Sequence, residues 1–130
     1  MSRFKNLKLV LTGLCVAAVM MSGALFARAP SSVSLQTTIS LGELPRQGVQ
    51  IYTLIRQGGP FATEKDGVVF GNRERLLPLK KRGYYLEYTV PTPGLSHRGV
   101  KRIVCGGQRT EPDICYYTAD HYASFRQIVP

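Results

Sequence analysis

Histidine is scarce in this sequence, with two residues in 130, and acids are few, with 8 Asp and Glu against 17 Lys and Arg. No His, Asp and Glu residues cluster at ligand spacing, which argues against a built metal centre. Internal repeats are absent, and 130 residues are too few for two ordinary domains. Hydrophobic residues make up 44% and charged residues 19%, which excludes a wholly disordered chain.

Residues 1–29 stand apart. A basic start, MSRFKNLK, precedes an uncharged apolar run and then Ala-Arg-Ala at 27–29. This is the layout of a secretory signal peptide. The run is about 18 residues, the lower limit for crossing a bilayer, so an uncleaved anchor is the alternative. Loss of 1–29 would take away Arg3, Lys5, Lys8 and Arg28, leaving 13 basic and 8 acidic residues and a net charge of +5. A small exported protein of that charge attracts polyanions: nucleic acid, anionic membrane or acidic glycans.

Export also bears on cysteine. Without the signal, Cys105 and Cys115 remain, separated by the nine turn-rich residues GGQRTEPDI. In an oxidising compartment a disulfide is expected, with two free thiols as the alternative. Closing so short a loop would contribute about 2–3 kcal/mol.

Residues 30–42 are Ser/Thr-rich and read as a flexible lead-in, with the folded domain at 43–130. A helix is expected in ELPRQGVQIYTLIRQGGP: Pro45 suits its first turn and Gly58-Gly59-Pro60 stops it. Beyond Pro60 the period changes. A short strand in GVVF, then 83–90, 99–105, 114–119 and 122–129, are rich in aromatic and β-branched residues and separated by turn formers. The expected class is α+β, a helix packed on an antiparallel sheet of four to five strands.

If the hairpin linking 83–90 to 99–105 centres on Gly94-Leu95, Glu87 opposes Arg102, and Arg98 shares the parity of Arg102. One carboxylate and two guanidiniums would then meet on one sheet surface. A weakly stabilising surface charge ladder is the plain alternative.

Several runs together resemble the microbial guanyl-specific ribonucleases, the barnase-like secreted enzymes. They are GPF at 59–61, DGVVFGNRE at 66–74, LP at 77–78, GYYLEYTV at 83–90, TPG at 92–94, RGVKRI at 98–103 and YYTADHY at 116–122. The resemblance spans about Leu44 to Ile128. It implies the microbial ribonuclease fold and an endonuclease that cuts single-stranded RNA after guanosine. The ribose 2′-hydroxyl would attack the adjacent phosphorus, leaving a 2′,3′-cyclic phosphate that hydrolysis can convert to the 3′-phosphate. Such a substrate brings its own nucleophile, so neither metal nor cofactor is expected.

By the same resemblance, Glu87 is the general base and His121 the general acid. Imidazole ordinarily titrates near pH 6.5, and a positioned acid or base gives about 10²–10⁴-fold. Arg98 and Arg102 match phosphate-binding arginines, whose planar forks suit phosphoryl oxygens. Glu74 matches the carboxylate that accepts the two guanine donors N1–H and N2–H. Backbone amides around Asn72 and Arg73 would serve O6. Phe70 and Tyr122 match residues flanking the base, although core packing is an alternative for Phe70. Gly71 can contribute only backbone. His97 and the run Lys80, Lys81, Arg82 have no assigned role beyond solvated loops.

The expected product is thus a secreted monomer, extracellular or periplasmic, with no stable membrane association once its signal is removed. Two alternatives keep the fold: a non-catalytic RNA- or polyanion-binding module, and an antibacterial effector held in check by an acidic inhibitor protein.

Overall fold

The computed structural model describes residues 37–130. The expected signal at 1–29 and most of the lead-in lie outside the described residues. Six strands form one sheet: β1 (Thr38–Ser40), β2 (Val68–Val69), β3 (Tyr85–Thr89), β4 (Arg102–Gly107), β5 (Pro112–Thr118) and β6 (Arg126–Val129). Their spatial order is β1-β6-β5-β4-β3-β2. The helix α1 spans Arg46–Gln57. The α+β class stands, with more strands than expected and one parallel pairing, β1 with β6.

That pairing corrects the end of the lead-in. Thr38–Ser40 is ordered because Ile39, 2% exposed, fills the core opposite Ile128. Glu43 then closes the following turn by accepting from Ser40 N (2.9 Å) and Ser40 Oγ (3.1 Å). These bonds, the backbone one foremost, hold its carboxyl below the usual range.

Helix α1 ends where Gly58 takes a left-handed conformation (φ 85°), letting its N–H and that of Gly59 reach the carbonyls of Ile55 and Leu54. Its apolar side packs Val49, Ile51, Tyr52 and Ile55 against Leu86, Tyr88, Ile103, Cys105, Cys115 and Tyr117. Strand side chains alternate between faces. Tyr85, Val104 and Tyr116 therefore point the other way, into a second cluster with Leu77 and Phe125. The central hairpin is stapled by the disulfide between Cys105 and Cys115, direct partners across β4 and β5.

Candidate active site

The site is built on the sheet face away from α1. Glu87 and Thr89 share that face with Tyr85 by alternation along β3. The expected register needs correction: Glu87 pairs with Val104, and Arg102 pairs with Thr89. The connection is a wide loop rather than a tight turn. It carries its own bend from Thr92 to Leu95, with Gly94 and Gly99 left-handed, so the hairpin centre moves by one residue. Each partner shifts by two positions, and two is the period of a strand, so Arg102 stays on the face of Glu87.

Arg98 reaches the same place from the loop. Its Nε donates to Thr89 Oγ1 (2.6 Å), and its Nη2 donates to Glu87 Oε1 (3.5 Å). This is the one side-chain ion pair among the described residues. Arg102 is only 3% exposed. One terminal nitrogen donates to Lys101 O (2.8 Å), while Nε, also buried, has no hydrogen-bond partner. A buried guanidinium without its own carboxylate is costly to hold and strongly attracts an anion.

Tyr122 joins these charges to a neighbouring cavity. Its ring lies 6.0 Å from the Arg102 guanidinium carbon and stacks on Phe70 (centroids 5.1 Å apart, 28° between planes). Burial pushes its phenol up, the Glu87 carboxylate adds to this, and Arg102 pulls the other way. The cavity beyond, about 250 Å³, is lined by the loop Phe70–Glu74 with Leu76 and walled by Tyr122 and Phe125. Asn72 shapes that loop. At φ 48°, a conformation asparagine tolerates, its side chain accepts from Leu77 N (3.1 Å) and donates to Leu77 O (2.9 Å). Arg73 and Glu74 are exposed on the cavity's rim.

His121 is exposed and lies beside Tyr122, ring centroids 5.0 Å apart. The strand expected over 122–129 begins only at Arg126. His121 (φ 55°) and Tyr122 (φ 72°) are instead consecutive left-handed residues, a conformation costing roughly 1–2 kcal/mol each. The strands expected at 83–90, 99–105 and 114–119 are found at 85–89, 102–107 and 112–118.

A carboxylate and two guanidiniums thus share one sheet face, and Tyr122 links Arg102 and the loop bearing His121 to an aromatic cavity. The family model described as ribonuclease matches residues 27–129. The chain belongs to the ribonuclease family. It is 51% identical over 98 residues to guanyl-specific ribonuclease Sa3 of Kitasatospora aureofaciens, covering 75% of this chain and 67% of that protein. It is 50% identical over 91 residues to guanyl-specific ribonuclease Sa of the same organism, covering 70% and 92%. Among solved structures, ribonuclease Sa2 with guanosine-2′-cyclophosphate superposes with a TM-score of 0.66 at 44% identity, covering 72% of this chain and 96% of that one.

This ribonuclease brings together Phe70, Asn72, Arg73, Glu74 and Tyr122 around the cavity, and Glu87, Arg98 and Arg102 beside it. Sequence reasoning missed Leu76 and Phe125 as cavity walls and Thr89 as the anchor of Arg98. Phe125 could have been found only by seeing that the strand starts late. His97 is exposed, with Nδ1 accepting from Gly99 N (3.0 Å). Lys80, Lys81 and Arg82 are exposed, and Lys80 Nζ sits 5.1 Å from the Tyr84 ring centroid. Among the described residues, no three His, Cys, Asp or Glu side chains are grouped to hold a metal ion.

Proposed function

We propose that this protein is an endoribonuclease cutting single-stranded RNA after guanosine by transphosphorylation. Glu87 takes the proton from the 2′-hydroxyl, and His121 gives one to the departing 5′-oxygen. Arg98 and Arg102 hold the phosphate and stabilise its growing charge. The observation that carries this reading is Arg102: a buried guanidinium with an unpartnered nitrogen, on the same face as a carboxylate already held by Arg98. The base enters the cavity at Phe70–Glu74, where Glu74 accepts the two donors of guanine and the aromatic walls suit an unpaired base. The names of the guanyl-specific relatives support that choice of base.

The same reading makes the chain an exported monomer whose residues 1–29 are a signal peptide and whose folded domain follows. The disulfide supports an oxidising destination. The cationic face that receives RNA is equally suited to an acidic inhibitor protein.

The test uses defined dinucleoside phosphates with a chelator present. Guanylyl-uridine should be cleaved far faster than adenylyl-uridine, yielding guanosine 2′,3′-cyclic phosphate. Glu87→Gln and His121→Ala should each lower kcat by about 10²–10⁴-fold while the fold persists. Glu74→Ala should erode the preference for guanine. Undiminished cleavage by either of the first two variants removes the role assigned to that residue.

A further inference from the structure

The loop carrying His121 is indexed to the sheet through one hydroxyl. Thr118, the last residue of β5, is 1% exposed and is the direct partner of Arg102 across β4 and β5. Its Oγ1 donates to Asp120 Oδ1 (2.9 Å) and accepts from Tyr122 N (3.1 Å) and, more weakly, Asp120 N (3.4 Å). A threonine hydroxyl has one proton and two lone pairs, and all are used here. Asp120 extends the lock by accepting from Ser124 N (2.9 Å) and Ser124 Oγ (2.5 Å). The two left-handed residues lie inside this clasp. The Tyr122 amide follows directly on the His121 carbonyl, so its bond to Thr118 fixes where the His121 backbone turns. A left-handed pair of non-glycine residues persists only when its surroundings over-determine it.

We infer that Thr118 is a positioning residue for proton transfer, holding the His121 imidazole at a fixed offset from the phosphate-binding Arg102. This rests on His121 being the general acid. The hydroxyl is buried and bonded within the protein. Its effect runs through the Tyr122 amide and the Asp120 carboxylate to the turn that aims the ring. Positioning errors of this kind cost about 10²-fold in rate. Ordinary core threonines do not have this consequence, because their hydroxyls do not set the conformation of a catalytic side chain's own backbone.

The experiment compares Thr118→Val, Thr118→Ser, His121→Ala and the double variant Thr118→Val/His121→Ala on guanylyl-uridine. It repeats them on guanosine 3′-(4-nitrophenyl phosphate), whose leaving group departs without a proton. Thr118→Val should lower kcat on guanylyl-uridine by about 10–100-fold with KM little changed. Thr118→Ser should keep most of the activity. The double variant should be no slower than His121→Ala, and on the nitrophenyl ester the defects should vanish. Equal losses on both substrates would mean that Thr118 serves the fold alone, overturning the inference. So would a normal rate for Thr118→Val beside a slow His121→Ala. A normal rate for His121→Ala would instead overturn the general-acid assignment.

Discussion

The side chain of Asn72 closes a ring with the backbone of Leu77, accepting from its amide and donating to its carbonyl. Leu77 is 1% exposed, so both backbone groups depend on that amide. Asn72→Ala would leave them unpaired and place alanine, which lacks asparagine's local hydrogen bonding, in a left-handed conformation, costing about 2–4 kcal/mol. Asn72→Gly removes the same bonds but relieves the backbone, so it should be the less destabilised of the two. Both should lose guanine preference to a similar degree, since the loop lining the cavity loses its clamp either way. Urea unfolding together with kcat/KM on guanylyl-uridine and adenylyl-uridine checks this.

Tyr84 lies over Gly106. A β-carbon at Gly106 would stand 2.8 Å from Cδ1 and Cζ of that ring and nearer still to Cε1. The ring is not free to swing away. Its hydroxyl donates to Asp113 Oδ2 (3.2 Å), and it sits edge-on to Tyr85 with centroids 4.8 Å apart. Gly106→Ala should therefore destabilise by about 1–3 kcal/mol, the usual range for overpacking. Tyr84→Ala in the same chain should absorb part of that cost, so a double-mutant cycle by denaturant unfolding should show a favourable coupling between the two changes.

The aromatic and β-branched runs marked five of the six strands, the last of them with too early a start, and the proline and double glycine bracketed α1, because these are local signals. β1 was not legible: its three residues gain order from Ile39 meeting a core supplied by β6, almost ninety residues away. Parity survived where register did not. A shift of two kept Glu87 and Arg102 on one face, whereas a shift of one would have separated them. The His121 loop misled for a physical reason. Tyr122 and Phe125 look like strand residues in sequence, yet hydrogen bonds from Thr118 and Asp120 outweigh that preference and turn the chain left-handed.

The disulfide faces the helix-side core, while Val104 and Tyr116, its neighbours in β4 and β5, face the site. Stability and activity should therefore separate. Cys105→Ala/Cys115→Ala should lose about 2–3 kcal/mol in urea unfolding, as expected for opening a short loop. At a temperature where the variant remains folded, kcat on guanylyl-uridine should stay within about twofold, because no group at the site contacts either sulfur's face of the sheet. A large fall in kcat would mean that the staple also sets the spacing between Arg102 and Thr118.

Alkaline pH should unfold this protein through its tyrosines. Tyr84, Tyr85, Tyr88, Tyr117 and Tyr122 all have phenols raised above 10.0, in each case chiefly because burial penalises the phenolate. Tyr85 is pushed up to about 12. An unfolded tyrosine releases its proton first, so the stabilisation is intact below about pH 10 and is lost as pH rises through the folded values. Phenolate absorbance should show these five groups titrating late, in a steep rise as the fold gives way. Tyr85→Phe separates two contributions at that position. It removes the hydrogen bond to Pro78 O (2.7 Å) and should cost about 1 kcal/mol at neutral pH. It also removes the most strongly shifted phenol, so the variant should lose less stability than the parent between neutral and alkaline pH. Parallel pH-dependent melting curves for the two proteins would contradict the burial of that hydroxyl.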